Sequence, residues 1–188
     1  MKLFLDHNSI VTVDGLEALP NLQELSLASQ RLSPYQSFVF DPTSLHACMK
    51  NLTSLNVEGN EIDNVQPYLM LRNLQRLKLS KNNIRELAQA KAVVGELQYL
   101  QDLDLRENPV CRTHKYLQTL IGLSSRYLKM LDGKPVAQPQ REMLQNIRRH
   151  KAQQRRASLD EDRTVPEDYE SLDGSLQAGA FHGARHFS

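Results

Sequence analysis

The chain has 188 residues, enough for one domain with a buried core. Its 23 lysines and arginines nearly cancel 22 acids, which excludes a global electrostatic bias toward nucleic acid or anionic membrane and leaves any such preference local. The two cysteines, Cys48 and Cys111, lack paired spacing and no apolar leader follows Met1, so an intracellular, cytoplasmic setting is expected; the apolar runs fall well short of the ~20 residues that a membrane span needs.

From the first residues onward leucines recur at fixed intervals. Leu3, Leu5, Asn8 and Ile10 carry the second half of an LxxLxLxxNxI pattern, and Leu22, Leu25, Leu27, Gln30 and Leu32 carry all of it with Gln for Asn. Leu52, Leu55, Val57, Asn60 and Ile62 repeat it 22 residues before Leu74, Leu77, Leu79, Asn82 and Ile84, and Leu100, Leu103, Leu105, Asn108 and Val110 repeat it again. The LxL core predicts a short strand with alternate residues facing inward. The Asn suits a turn where its amide satisfies backbone groups that stacking would bury unpaired. One such unit cannot bury its leucines alone, so neighbours must stack on a shared core. The chain starts inside a unit, as if earlier repeats were missing, and Leu3, Leu5 and Leu16 are therefore expected to face solvent on one side.

The repeat from residue 22 to 51 is extended: 30 residues separate Leu22 from Leu52. Its extra stretch, RLSPYQSFVFDPTSL, falls on the return side of the coil, which argues against a strand there. Ser33 and Pro34 predict a turn, and Asp41 to Ser44 predict the start of a short helix carrying Leu45 and Cys48. Between them, Tyr35, Phe38 and Phe40 form a candidate binding loop, although a loop folded over the core accounts for the aromatics more simply. On the strands, the residues flanking the inward leucines define a candidate concave partner surface: Glu24, Ser54, Asn56, Glu58, Arg76, Lys78, Asp102, Asp104 and Arg106. Register opposes Arg76 to Asp102 and Lys78 to Asp104, a self-neutralising ladder or a contact set for a folded protein.

After the repeats of residues 1–110, residues 108–136 read as a cap. An NPxC turn precedes Tyr116, Leu120, Ile121 and Leu123 at helical spacing, and Leu128, Leu131, Asp132 and Gly133 form a closing strand and turn; Cys111 is expected to be a small buried hydrophobe. Residues 137–157 predict a solvated basic helix with a narrow apolar stripe of Met143, Leu144 and Ile147, its cations being Arg141, Arg148, Arg149, Lys151, Arg155 and Arg156. Residues 158–188 read as a disordered acidic tail. The RRAS run makes Ser158 a candidate phosphosite at the join between the two charge blocks. The histidines His7, His46, His114, His150, His182 and His186 show no metal-ligand spacing, and neither a phosphate-cradling loop nor a nucleophile elbow occurs. The reading is a non-enzyme without cofactor.

These repeats resemble the leucine-rich repeat family, in its short intracellular class, and imply an α/β solenoid with a short parallel sheet on its concave face and an irregular or helical return side. The extended repeat from Gln30 to Asp63, with NPVCRTHKY and SRYLKMLDGK of the cap, is similar to the leucine-rich repeat regulatory subunits of protein phosphatase 1. That resemblance implies a non-catalytic subunit that binds the phosphatase catalytic subunit, with cytoskeletal or centrosomal placement and microtubule- or dynein-associated proteins as further partners. A basic-Val-x-Phe docking motif is lacking, since Phe38, Val39 and Phe40 have the wrong spacing, so binding falls to the concave face. The alternative is a ribonucleoprotein component like the spliceosomal leucine-rich repeat protein, with the basic helix on RNA, although RNA is the less favoured partner.

Overall fold

In the computed structural model, which describes residues 1–162, the LxL triplets become three-residue strands. These are β1 (Lys2–Phe4), β3 (Glu24–Ser26), β5 (Ser54–Asn56), β6 (Arg76–Lys78) and β7 (Asp102–Asp104), and they pair in parallel in that order. Two short strands finish the sheet: β8 (Met130–Leu131) runs parallel to β7, and β9 (Lys134–Pro135) turns back antiparallel. The leucines align across the register as Leu3, Leu25, Leu55, Leu77 and Leu103, and all but Leu3 are at most 1% exposed. Each such side chain contributes about 1.5–3 kcal/mol of transfer free energy, so the shared interior outweighs any single strand's propensity.

The polar residue after each strand carries the backbone of the next coil. Asn82 is the fullest case: its Oδ1 accepts the amides of Asn60 (3.0 Å) and Ile62 (2.9 Å), while its Nδ2 donates to the carbonyls of Val57 (3.0 Å) and Leu79 (2.9 Å). Asn60 and Asn108 do the same one coil to either side. Gln30 substitutes by reaching one carbon further, from the Ile10 amide (3.0 Å) to the Leu5 carbonyl (2.8 Å). The residue before the Asn or Gln is left-handed in every coil, at His7, Ser29, Gly59, Lys81 and Glu107. Sharp bends at these points let a strand of three residues turn into the return side.

That return side varies. It contains 3-10 turns at Leu16–Ala18, Gln66–Met70 and Pro109–Arg112, and helices α1 (Pro42–Cys48) and α2 (Leu87–Glu96). The helix read at Asp41 begins there: the Asp41 carboxylate accepts the Ser44 amide at 2.9 Å, with Pro42 in the first turn. The stretch before it departs from expectation. Val39 and Phe40 form a strand, β4, parallel to β2 (Thr12–Val13), held by Val39 N–H to the Val11 carbonyl (2.9 Å) and Asp41 N–H to the Val13 carbonyl (3.0 Å). The previous coil's return side supplied a backbone edge that an isolated repeat does not have. Leu16 also differs from expectation and is buried; its amide donates to Ser44 Oγ at 3.1 Å, and α1 packs over the turn that holds it. Leu3 and Leu5 are partly buried.

At the other end α3 (Tyr116–Leu123) covers the core, and Asp132 takes the place of the next Asn, accepting the Leu105 amide at 2.7 Å. Helix α4 runs over Gln138–Asp162, beyond the 157 expected; after Pro139 in its first turn the sequence has no Gly or Pro before Pro166. The compact unit spans Met1–Lys151 and a second begins at Ala152. Residues 163–188, and with them most of the expected acidic tail and His182 and His186, lie outside the described residues. Arg141 is no solvated cation of the basic helix. It is 3% exposed, and its guanidinium donates to the carbonyls of Arg126 (3.1 Å) and Leu128 and to Gln138 Oε1 (2.7 Å). Leu144 packs beside Gly122 of α3, so the first turns of α4 belong to the cap.

Candidate functional site

The outward side chains of the sheet form three rows. Lys2, Glu24, Ser54, Arg76, Asp102 and Met130 share the first, and Phe4, Ser26, Asn56, Lys78 and Asp104 the second. Asp6, Ala28, Glu58, Ser80 and Arg106 follow one pleat further along. All nine residues expected on a concave surface therefore lie on one face of the solenoid.

Their pairing is not the expected ladder. Arg76 does stand beside Asp102 and Lys78 beside Asp104, yet neither ion pair forms. Arg76 instead reaches back across β5, its Nε donating to Ser54 Oγ (3.3 Å) and its Nη2 lying 3.8 Å from Glu24, which also holds Lys2 at 2.7 Å. The Lys2 hydrogen bond, opposed by partial burial, keeps the Glu24 carboxyl below its ordinary range. Asp104 is occupied by Arg106 in a two-pronged contact, Nε to Oδ1 at 2.9 Å and Nη2 to Oδ2 at 2.6 Å. Burial works against that carboxylate, but the Arg106 bonds win and its pKa is lowered. Lys81 bridges Glu58 at 2.8 Å. Among the described residues, Lys78 and Asp102 are thus left without ion partners at the centre of the face. Arginine's length explains the swap, since a guanidinium can choose a carboxylate two strands away over its register neighbour.

The aromatics of the extended repeat separate. Tyr35 is 99% exposed, whereas Phe38 and Phe40 are buried, edge-on to each other (centroids 5.6 Å apart) and Phe40 to Tyr68 (5.8 Å). Only Tyr35 of that candidate loop is presented outward. Ser158 is exposed on α4, its Oγ donating to the Arg155 carbonyl at 3.1 Å. Cys111 is half-buried, with its thiol donating to the Leu105 carbonyl (3.0 Å) and its pKa pushed up by burial. Sequence reasoning missed a second aromatic cluster, the exposed pair Tyr99 and Tyr127 (5.8 Å) with Arg126 stacked 5.0 Å from the Tyr127 ring. These residues precede β7 and β8 at equivalent places in successive coils, a signal available only once the cap is aligned as another repeat.

A parallel sheet of short strands, an asparagine ladder and a helical cap define a leucine-rich repeat solenoid fold. No family model matches the chain. It is similar in fold to a chain of the Drosophila melanogaster SNF/U2A' complex, with TM-score 0.59 and 21% identity over 77% of this chain and 79% of that one. The leucine-rich repeat domain of Mex67 from Chaetomium thermophilum is 31% identical over 54% of this chain and 67% of its own, with TM-score 0.41. In sequence the chain is 29% identical over 109 residues to the septation initiation network scaffold protein cdc11 of Schizosaccharomyces pombe, covering 58% of this chain and 10% of that protein's length. No helix among the described residues is long and apolar enough to cross a membrane.

Proposed function

We propose that this protein is a non-catalytic scaffold that holds a folded protein partner against its concave sheet, and that the partner is the catalytic subunit of protein phosphatase 1, at cytoskeletal or centrosomal structures. The observation that carries the scaffold reading is the concave face itself, where Lys78 and Asp102 stand unpaired between charges already committed to one another. Unpaired charges of both signs suit a folded protein surface better than a polyanion. The choice of phosphatase rests on the resemblance of the extended repeat and cap to the testis-type leucine-rich repeat regulatory subunit of that enzyme. The sequence similarity to cdc11, a septation initiation network scaffold protein, is compatible with the scaffold part of this reading.

The test is affinity capture from cytosol by the full chain, read by mass spectrometry, beside a Lys78→Glu, Asp102→Lys variant. Phosphatase catalytic subunits should be enriched by the parent and reduced about tenfold by the variant, since like charges across an interface are strongly unfavourable. Failure to enrich them ends the phosphatase reading; equal capture of every protein partner by parent and variant ends the concave one. RNA titrated against the chain addresses the ribonucleoprotein alternative, which requires affinity that persists at physiological salt. Ser158 belongs to the same proposal as a phosphoacceptor for a basophilic kinase, and Ser158→Ala should abolish the label in vitro; label elsewhere removes it.

A further inference from the structure

The extended repeat builds a second surface, away from the concave sheet. A cavity of about 310 Å³ opens between β4 and the turn that follows β5, walled by Phe38, Phe40, Ile62 and Tyr68 with Glu61 and Asp63 at its mouth. These four apolar and aromatic side chains are at most 9% exposed, and the exposed Val39 and Pro67 are also part of the lining. Tyr68 is 3% exposed, and burial alone, with no hydrogen-bonding or charged neighbour, pushes its phenol above the ordinary value. Its hydroxyl makes no hydrogen bond to another protein group among the described residues, yet it is not sealed from solvent as Tyr116 Oη and Arg141 Nε are, so it opens on the cavity. Glu61 and Asp63 are exposed and form no ion pair among the described residues.

We propose that this slot receives a lysine or arginine side chain from a basic segment of a protein partner, distinct from whatever sits on the concave sheet. The chemistry matches along the length of such a side chain. Its methylenes pack on aromatic edges and faces, as long cationic side chains do on apolar walls. The charged head meets two uncompensated carboxylates at the mouth or reaches the Tyr68 oxygen, which accepts a hydrogen bond from its N–H. An acidic segment is repelled by the rim, and a purely apolar one leaves the Tyr68 hydroxyl unsatisfied. Since Phe38 and Phe40 come from the lengthened coil, the lengthening is what creates the site.

The experiment titrates the full chain with peptides of sequence GSLRLSG, GSLELSG and the same peptide with norleucine at the central position, following backbone amide shifts by NMR. The arginine peptide should shift amides of residues 37–40 and 61–64, and the other two should not. Glu61→Gln with Asp63→Asn should weaken that binding about tenfold, as loss of two rim charges predicts. Tyr68→Phe should leave the melting temperature unchanged while weakening the peptide about threefold, because it deletes a hydroxyl that bonds no other protein group and that the ligand's N–H engages. Absent shifts at those residues, equal binding of the norleucine or glutamate peptide, or an unaffected double variant each overturns the proposal. Its failure leaves the concave reading intact, since Lys78 and Asp102 lie outside the slot.

Discussion

Two glycines separate backbone strain from helix propensity. Gly59 holds the left-handed bend at φ 68, and a Cβ there would meet Ser29 Oγ at 3.1 Å. Gly59→Ala should therefore cost about 1 kcal/mol in urea unfolding. Gly95 lies within α2 with nothing within 4 Å of an added Cβ, so Gly95→Ala should add about 0.5–1 kcal/mol; shifts of the same sign in both would refute the distinction. Asp132 gives a prediction in pH. Burial raises its carboxyl above the ordinary value, against the opposing hydrogen bond from the Leu105 amide. A raised folded pKa means that the native state binds this proton more readily than the unfolded chain. Its contribution is thus favourable at low pH and becomes a penalty as pH rises through the folded pKa. Asn keeps the acceptor and tolerates the left-handed backbone (φ 53), so Asp132→Asn should be the more stable form at neutral pH, with the gap closing on acidification. A gap independent of pH would show that the carboxyl does not titrate differently in the fold.

At the level of elements, the extended repeat tests whether its aromatics are core or surface. Phe40 packs between Phe38 and Tyr68, so Phe40→Ala should cost about 3–5 kcal/mol. Tyr35→Ser, at a fully exposed position, should stay within about 0.5 kcal/mol; thermal denaturation distinguishes a loop laid on the core from one held outside it. The strands and the ladder were legible in the sequence because a LxL triplet and an Asn at fixed offset are local signals repeated several times over. Helix α1 was legible from Asp41, Pro42 and Ser44 for the same reason. Strand β4 was not, since its hydrogen-bond partners Val11 and Val13 belong to another coil and nothing near Val39 announces them. Arg141 was hidden among like residues: a basic run says nothing about which guanidinium folds back onto the cap. The slot was beyond reach too, because it needs Phe38, Ile62 and Tyr68 brought together by stacking.

Across the whole molecule the stacked coils share one core, so stability should follow how well each end is sealed. The two ends are unequal. Among the described residues strand β1 has a single neighbour, and the side chains behind it, Leu3, Leu5 and Ile10, are only partly buried. The other end is closed by α3, the β8–β9 hairpin and the Arg141 contacts to the Arg126 and Leu128 carbonyls. Local geometry does not distinguish them: the Leu5 and His7 amides donate to the Ser26 and Ala28 carbonyls at 2.8 Å, much as Leu79 and Lys81 donate to Asp104 (2.8 Å) and Arg106 (2.9 Å). If exchange depended on the hydrogen bond alone, the four amides would behave alike. Opening from the less buried side instead predicts that Leu5 and His7 exchange at least about tenfold faster than Leu79 and Lys81. Arg141→Ala should then speed exchange in β7 and β8 while leaving β1 unchanged, because it unlatches only the capped side. Hydrogen exchange resolved to these segments decides the matter, and equal protection at both ends of the parent would mean that the coils open as one cooperative block.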